Sequence, residues 1–167
     1  MRILIIGASG SGTTTLAEAL SSEYGWGFLD VDNYYWLPTT PPFQNKRNHS
    51  KRLEMILNDL SQFHNSVVSG SIMNWGHDLE ESFDLIVFLY LDSDIRVERI
   101  KNREKIRFGS VNPDFLKWAS EYDTGPSEGR SLERHNIWLG ERSCKVIRIE
   151  GDLSINERVE VVSSALA

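Results

Sequence analysis

The stretch Gly7-Ala8-Ser9-Gly10-Ser11-Gly12-Thr13-Thr14-Thr15 directly follows the apolar run Ile3–Ile6. A short apolar strand that enters a glycine-rich turn and then a helix turns backbone N–H groups towards one point. These unpaired donors and the helix dipole together favour a bound anion. Glycine allows a positive φ and lets a phosphate approach the backbone closely. We therefore predict a phosphate-binding turn over residues 7–14.

The rest of the chain alternates between short apolar segments and segments with helical spacing. The predicted strands are Ile3–Ile6, Phe28–Val31, Ser66–Ser69, Leu85–Leu91 and Val146–Ile149. The predicted helices span 13–24, 49–64, 94–107, 113–122, 128–140 and 155–166, with Asp92, Ser93 and Ser154 as candidate caps. Such alternation predicts an α/β fold with a mainly parallel sheet and helices on both faces. Ligands of such sheets bind beyond the carboxyl ends of the strands.

Length and composition exclude several classes of protein. The 167 residues predict one domain over residues 1–167, and 18 basic against 24 acidic residues give a net charge of −6. That balance argues against a general nucleic-acid binder. The single cysteine, Cys144, excludes an intramolecular disulfide. The longest apolar run, Leu85–Leu91, is far short of the about 20 residues that a membrane span needs. With no secretory signal at its N-terminus, we expect a cytoplasmic protein without a membrane partner.

Two interpretations of the glycine-rich turn remain open. Gly7, Gly12 and Thr14 match the P-loop pattern GxxxxGK[ST], in which the last hydroxyl coordinates Mg²⁺, but Thr13 replaces the lysine. Alternatively, the turn belongs to an NAD(P)-binding fold, since acidic residues lie about 20 residues further on. The dinucleotide pattern GxGxxG fails here, because the glycines are spaced GxxGxG.

The second predicted strand runs into Asp30 and Asp32. Strand alternation predicts that the two carboxylates share a face. Opposite a phosphate loop, Asp32 can hold Mg²⁺ or take a proton from an acceptor hydroxyl. Tyr34, Tyr35 and Trp36 follow, either as acceptor-pocket residues or as core.

The segment 96–107 is strongly basic, with six Lys or Arg against two Glu. At helical spacing, Arg96, Arg99, Arg103 and Arg107 form one stripe, which predicts a helix face that grips phosphates. This stripe can also supply the positive charge that Thr13 does not.

Together these motifs resemble the P-loop kinases of the nucleoside-monophosphate kinase and shikimate kinase superfamily, including small adenylate-kinase-related proteins. The resemblance covers nearly the whole chain and implies a five-stranded parallel sheet in the order 2-3-1-4-5, with an arginine-rich lid at about 96–125. It implies ATP and Mg²⁺ as cofactors and a small-molecule or nucleotide acceptor. The implied metal ligands are Thr14 and Asp32, and the implied catalytic residues are Asp32, Arg99, Arg103 and Arg107. The implied ATP-binding residues are Gly7, Ala8, Ser9, Gly10, Ser11, Gly12, Thr13, Thr14, Gly151 and Asp152.

The chain departs from that family at two places. Thr13 stands at the lysine position, and Ser69 precedes Gly70 where many nucleotide kinases have Asp. Ser71, Asn74 and Trp75, just beyond this strand, are candidates for the acceptor pocket. The leading hypothesis is an ATP-dependent kinase, and the alternatives are a nucleotide-binding protein without kinase activity and an NAD(P)-dependent oxidoreductase.

Overall fold

A computed structural model describes residues 1–125 and 129–167. The strands are β1 (Arg2–Gly7), β2 (Gly27–Asp30), β3 (Ser66–Ser69), β4 (Leu85–Tyr90) and β5 (Lys145–Glu150). The helices are α1 (Thr13–Tyr24), α2 (Val31–Tyr35), α3 (His49–Ser61), α4 (His77–Glu80), α5 (Ser93–Phe108), α6 (Pro113–Ser120), α7 (Leu132–Gly140) and α8 (Ile155–Leu166).

The five strands form one parallel sheet in the order β2-β3-β1-β4-β5, which confirms the predicted topology. β1 lies in the middle, so the turn that follows it opens at the centre of the carboxyl edge. Ser69 of β3 is in register with Ile5 of β1 on one side and with Asp30 of β2 on the other. The ends of β1, β2 and β3 therefore meet at one place.

Alternate residues of the strands pack against two helical layers. Ile3 and Ile5 face a cluster with α1 and α8, whereas Leu4 and Ile6 face one with α3 and α7. All four side chains are fully buried, as expected for the central strand of a parallel sheet covered on both faces. Among the described residues, no helix has the length and apolarity needed to cross a membrane.

Two short helices, α2 and α4, were not predicted from the sequence. β2 ends at Asp30, whose carboxylate caps α2 by accepting a hydrogen bond of 2.9 Å from the Asp32 N–H. Asp32 thus lies on a helix, and the expectation that Asp30 and Asp32 share a strand face is wrong. The capping prediction is confirmed for Ser154, which forms a capping box with Glu157. Asp92 is the N-cap of α5 but makes no side-chain capping bond. α7 begins at Leu132, and the predicted helix start at 128 lies outside the described residues.

Glu80 at the end of α4 contacts three groups in the helical layer that contains α3 and α7. Its carboxylate accepts hydrogen bonds from the backbone N–H of Trp75 and from the Trp138 indole N–H, at 3.0 and 2.6 Å. It also pairs with Arg142 at 3.2 Å. Glu80 is only 8% exposed, so these bonds compensate the cost of burying its charge. The result is a fixed turn between β3 and α4.

We expect Glu80→Gln to lower the free energy of unfolding by about 2 kcal/mol, because a buried donor set would lose its charged acceptor. Chemical denaturation measures this change. Glu81→Gln is the matched control, since Glu81 also pairs with Arg142 but is partly exposed and should cost less. Equal losses in both variants would contradict a special role for Glu80.

Candidate active site

The turn between β1 and α1 packs directly on the backbone of its neighbours. A Cβ at Gly7 would lie 2.6 Å from the Leu89 carbonyl oxygen, and one at Gly10 would lie 2.7 Å from the Arg96 carbonyl oxygen. Gly10 also has a φ of 82°. Larger residues would push the turn away from β4 and α5. The glycines therefore set the shape of the turn, as the sequence predicts.

The turn presents the N-terminus of α1 to the carboxyl edge of the sheet. Gly12 is the N-cap, with a φ of 95° and no side-chain capping bond, so the first-turn N–H groups face outward uncapped. Thr13 and Thr14 are the first two residues of α1. This arrangement can bind an anion, because backbone donors and the helix dipole act together. Residues 7–14 lie together as predicted.

Oxygen donors gather beside Thr14. The Thr14 side chain hydrogen-bonds the Asp30 carboxylate, although burial outweighs this bond and raises the pKa of Asp30. The adjacent Ser69 hydroxyl is fully buried and has no hydrogen-bond partner among the described residues. Hard oxygen donors of this kind suit Mg²⁺, which keeps several of its waters. No group of three or more His, Cys, Asp or Glu able to hold a metal occurs in the described part of the chain. The residues present therefore fit a Mg²⁺ ion held mainly through phosphate and water.

Asp32 lies apart from this group and lines a cavity of about 250 Å³. The cavity brings Asp32 together with the three residues predicted just beyond β3, namely Ser71, Asn74 and Trp75. Of the aromatic residues after Asp32, Tyr35 lines the cavity and Tyr34 is buried in the core. Trp36 instead packs edge-on against Phe43.

Arg52 reaches this cavity from α3. Its guanidinium lies beside two stacked rings, 4.8 Å from the Tyr35 centroid and 4.6 Å from that of Trp75. Its Nε is buried without a hydrogen-bond partner in the described structure. Contact with two rings restricts the guanidinium, whose N–H donors suit a carboxylate or phosphate. In the sequence, Arg52 belongs to a basic cluster with Lys46, Arg47 and Lys51, and nothing in that cluster distinguishes it from its neighbours.

A buried chain of hydrogen bonds ends at Ser71. Tyr122 Oη lies 2.5 Å from His135 Nδ1, and His135 Nε2 lies 3.3 Å from Ser71 Oγ. Burial lowers the pKa of His135 to about 3 and raises the pKa of Tyr122, so both are neutral near pH 7. Because the buried Tyr122 proton has only Nδ1 to bind among the described residues, the His135 proton sits on Nε2 and donates to Ser71. The Ser71 hydroxyl is then left to donate into the cavity.

The predicted arginine stripe does not act as one surface. Arg96 is fully buried, where it donates to the carbonyls of Leu91 and Ala119 and pairs with Asp123 at 3.0 Å. The expectation that it faces the phosphates is wrong, because α6 covers this side of α5. Arg103 pairs with its neighbour Glu104, and Arg107 lies over the Phe108 ring.

The Arg99 side chain lies beside the turn, with its Nη1 3.9 Å from the place of a Gly12 Cβ. It forms an ion pair with Asp152, which follows Gly151 at the end of β5. The two groups of predicted ATP-binding residues, in the turn and after β5, are thus adjacent. Sequence reasoning missed Arg158 of α8, which donates to the Ser11 carbonyl at 2.8 Å and to the Gly151 carbonyl at 3.3 Å. Nothing in its local sequence distinguishes it from a surface arginine.

Comparisons with known proteins agree with this fold. A family model described as an AAA domain matches residues 3–112. The Bacillus subtilis (strain 168) protein YqaC is 41% identical over 99% of this chain and 97% of its own length. Cytidylate kinase 2 of Borrelia garinii subsp. bavariensis is 25% identical over 93% of this chain and 89% of its own.

The fold is also found in solved structures. Shikimate kinase from Acinetobacter baumannii in complex with shikimate aligns with a TM-score of 0.61. The alignment covers 99% of this chain and 92% of that protein at 17% identity, so it shows the fold alone. The chain belongs to the AAA-domain family of P-loop proteins, and its fold is that of the nucleoside-monophosphate and shikimate kinases.

Proposed function

We propose that the protein is an ATP-dependent phosphotransferase that moves the γ-phosphoryl group to an anionic small-molecule or nucleotide acceptor in the cytoplasm. One observation carries the proposal: the anion-binding turn at Gly7–Thr14 and the cavity at Asp32 open at the same edge of the sheet. Phosphoryl transfer needs little more than two such sites, because its catalysis is mainly positioning and charge neutralisation.

The turn would bind the β-phosphate through the backbone N–H groups of residues 7–14. The Thr14 hydroxyl, with Asp30 and Ser69 beside it, would hold Mg²⁺, which neutralises phosphate oxygens when bound. This replaces the expected pair of Thr14 and Asp32, because Asp30 is the carboxylate that reaches Thr14.

Asp32 would take the proton from the acceptor hydroxyl as the new bond to phosphorus forms. Its position on the cavity wall, at the start of α2, supports this role, because an acceptor bound in the cavity would contact its carboxylate. The Ser71 hydroxyl would donate to the same acceptor, oriented by His135. These groups fix the acceptor's direction, which is the main requirement for in-line transfer.

Arg52 supports an acceptor that carries a carboxylate or phosphate. Its charge lines the cavity, and in the described structure no carboxylate pairs with it. A guanidinium without an ion-pair partner beside a cavity costs free energy, and a bound anion would offset this cost. The names of the relatives, a cytidylate kinase and a shikimate kinase, are consistent with either a nucleotide or a small acid.

The base of ATP would lie near Gly151 and Asp152, where Arg99 already contacts Asp152. Arg103 and Arg107 lie further along α5, and with their present contacts they neither bind the turn nor line the cavity. Their proposed role on the phosphoryl oxygens therefore requires that α5 and α6 close over the site as a lid.

A second candidate function is nucleotide binding without transfer. The observation that favours it is Thr13, which offers no positive charge to the β- and γ-phosphates. The two candidates share the ATP site and differ in turnover. An NAD(P) site is a third alternative, which a direct comparison of ligands tests.

We expect a saturating concentration of Mg·ATP to raise the melting temperature by on the order of 10 °C. A ligand at about 1,000 times its dissociation constant adds about 4 kcal/mol to the stability of a chain of this size. Differential scanning fluorimetry with ATP, NADPH or neither measures the shift. A rise with NADPH alone would show that the turn binds a dinucleotide.

We expect Asp32→Asn to lower turnover by about 10²- to 10⁴-fold, the usual contribution of a general base, and to leave ATP affinity unchanged. ADP release, measured over a panel of nucleoside monophosphates and small hydroxy acids, first identifies the acceptor and then gives the rates. Glu160→Gln, which removes an exposed carboxylate from α8, is the control for charge. If no acceptor supports ADP release while ATP binds, the second candidate function stands instead.

We expect Arg52→Met to raise the acceptor KM at least about tenfold, because a charged hydrogen-bond partner contributes about 1.5–3 kcal/mol. Steady-state kinetics with the identified acceptor separates KM from kcat. Lys51→Met is the matched control, since Lys51 is the adjacent basic residue but pairs with Glu54 on the surface. An unchanged acceptor KM would remove the anion-binding role of Arg52.

A further inference from the structure

Arg158 is a buried cation on the first half of α8, only 4% exposed. It bridges two turns of the candidate active site, with Nη1 on the Ser11 carbonyl at 2.8 Å and Nη2 on the Gly151 carbonyl at 3.3 Å. Its Nε is buried and has no hydrogen-bond partner among the described residues. A guanidinium has five N–H donors, so these two bonds leave most of its donors unused.

The charge of Arg158 is not balanced by an ion pair. None of the ion pairs found within residues 1–125 and 129–167 includes it. Burial lowers the pKa of Arg158 and the nearby charge of Arg99 lowers it further, while the charge of Asp152 opposes this shift in part. Arg96 is the useful contrast: it is equally buried but pairs with Asp123. A buried guanidinium without an ion-pair partner would be stabilised by a bound anion.

Arg158 lies beside the glycine-rich turn. Its Nη1 would lie 2.9 Å from a Cβ at Gly12, and Arg99 Nη1 would lie 3.9 Å from the same point. Two guanidiniums thus converge on the residue that precedes α1, and Asp152 forms an ion pair with only one of them, Arg99. Gly12 is also adjacent to Thr13, where the P-loop pattern has its lysine.

The hydrogen bond to Ser11 acts on the turn itself. The Ser11 carbonyl belongs to the same peptide unit as the Gly12 N–H. A cation that binds the carbonyl end of a peptide polarises it, and so strengthens its N–H as a donor. Arg158 can therefore improve anion binding in two ways, through its own charge and through this peptide.

We propose that Arg158 supplies the positive charge that the phosphate turn lacks at Thr13, and that it positions the Gly12 peptide for the phosphates of the nucleotide. The proposal deepens the proposed function and rests on it for the identity of the nucleotide. It assigns to α8 a role that the lysine of the turn would otherwise have.

A purely structural arginine would give different results. If Arg158 only joined the two turns, its loss would weaken adenosine and ATP binding alike, or would unfold the chain. If it acts through charge, the loss should grow with the number of phosphates on the ligand. Calorimetric titrations of adenosine, AMP, ATP and inorganic tripolyphosphate distinguish these cases.

We expect Arg158→Met to weaken ATP and tripolyphosphate binding about 10- to 100-fold and to leave adenosine binding within about threefold, as for a charge-assisted contact. Arg158→Lys keeps the charge and should retain most of the affinity. Arg148→Met is the matched control, because Arg148 lies on the other face of the sheet over Phe88. Far-UV circular dichroism and melting curves check that each variant folds.

Thr13→Lys tests the same point even if Arg158→Met does not fold. In the natural chain, we expect the new lysine to raise ATP affinity less than about threefold, since the cation is already present. In the Arg158→Met variant, the same lysine should raise ATP affinity at least about tenfold. A gain of tenfold or more in the natural chain, or full ATP affinity in Arg158→Met, would overturn the proposal.

Tripolyphosphate separates this inference from the proposed function. If the natural chain binds tripolyphosphate through Arg158 but not ATP, the charge role stands and the nucleotide function fails. If it binds ATP and Arg158→Met binds ATP equally well, the function stands and the inference fails. If it binds neither ligand, both are wrong.

Discussion

Close packing of backbone on backbone holds the candidate active site together. Gly7 lies against the Leu89 carbonyl and Gly10 against that of Arg96, at distances that no side chain permits. The turn is thereby pressed between β4 and α5 before any ligand binds. Its N–H groups keep one direction, so a bound phosphate would not have to order them. A site that acts by positioning depends on this rigidity, because freedom in the turn would reduce the strength of every donor.

Buried arginines organise the surroundings of the turn, although the chain as a whole is acidic. Arg96 and Arg142 are paired with carboxylates, so they stabilise the packing of α5 and α7. Arg52 and Arg158 lack such partners among the described residues, and both lie where the proposed reaction places an anion. The distinction between paired and unpaired guanidiniums therefore separates structural arginines from candidate binding residues better than their spacing along a helix does.

The sequence predicts five strands and six helices of the fold, because apolar strands and helical periodicity are local patterns, and the sheet order follows from the family resemblance. The phosphate turn is predictable for the same reason, since its glycines are consecutive in the chain. The roles of Arg96 and Arg158 are not predictable, because they depend on what covers each side chain. Periodicity placed Arg96 on a stripe with Arg99, but α6 packs over it. Arg158 contacts Ser11 across 147 positions, a separation that no local pattern encodes. The prediction for Asp32 failed for another reason. The Asp30 carboxylate caps a helix at the point where strand alternation was expected to continue.

Moving a cation from the turn to α8 would have a structural consequence. A lysine at position 13 has a flexible stem and follows the phosphate by itself. Arg158 is instead fixed at both ends of its guanidinium, to the carbonyls of Ser11 and Gly151. The phosphate turn and the turn after β5 are therefore linked through one side chain, and Arg99 adds a second link through Asp152. Any displacement of one turn must break hydrogen bonds at the other. The phosphates and the base of the nucleotide would then contact a single rigid unit. Its positive charge would come from an arginine fixed on α8 rather than from a flexible lysine in the turn.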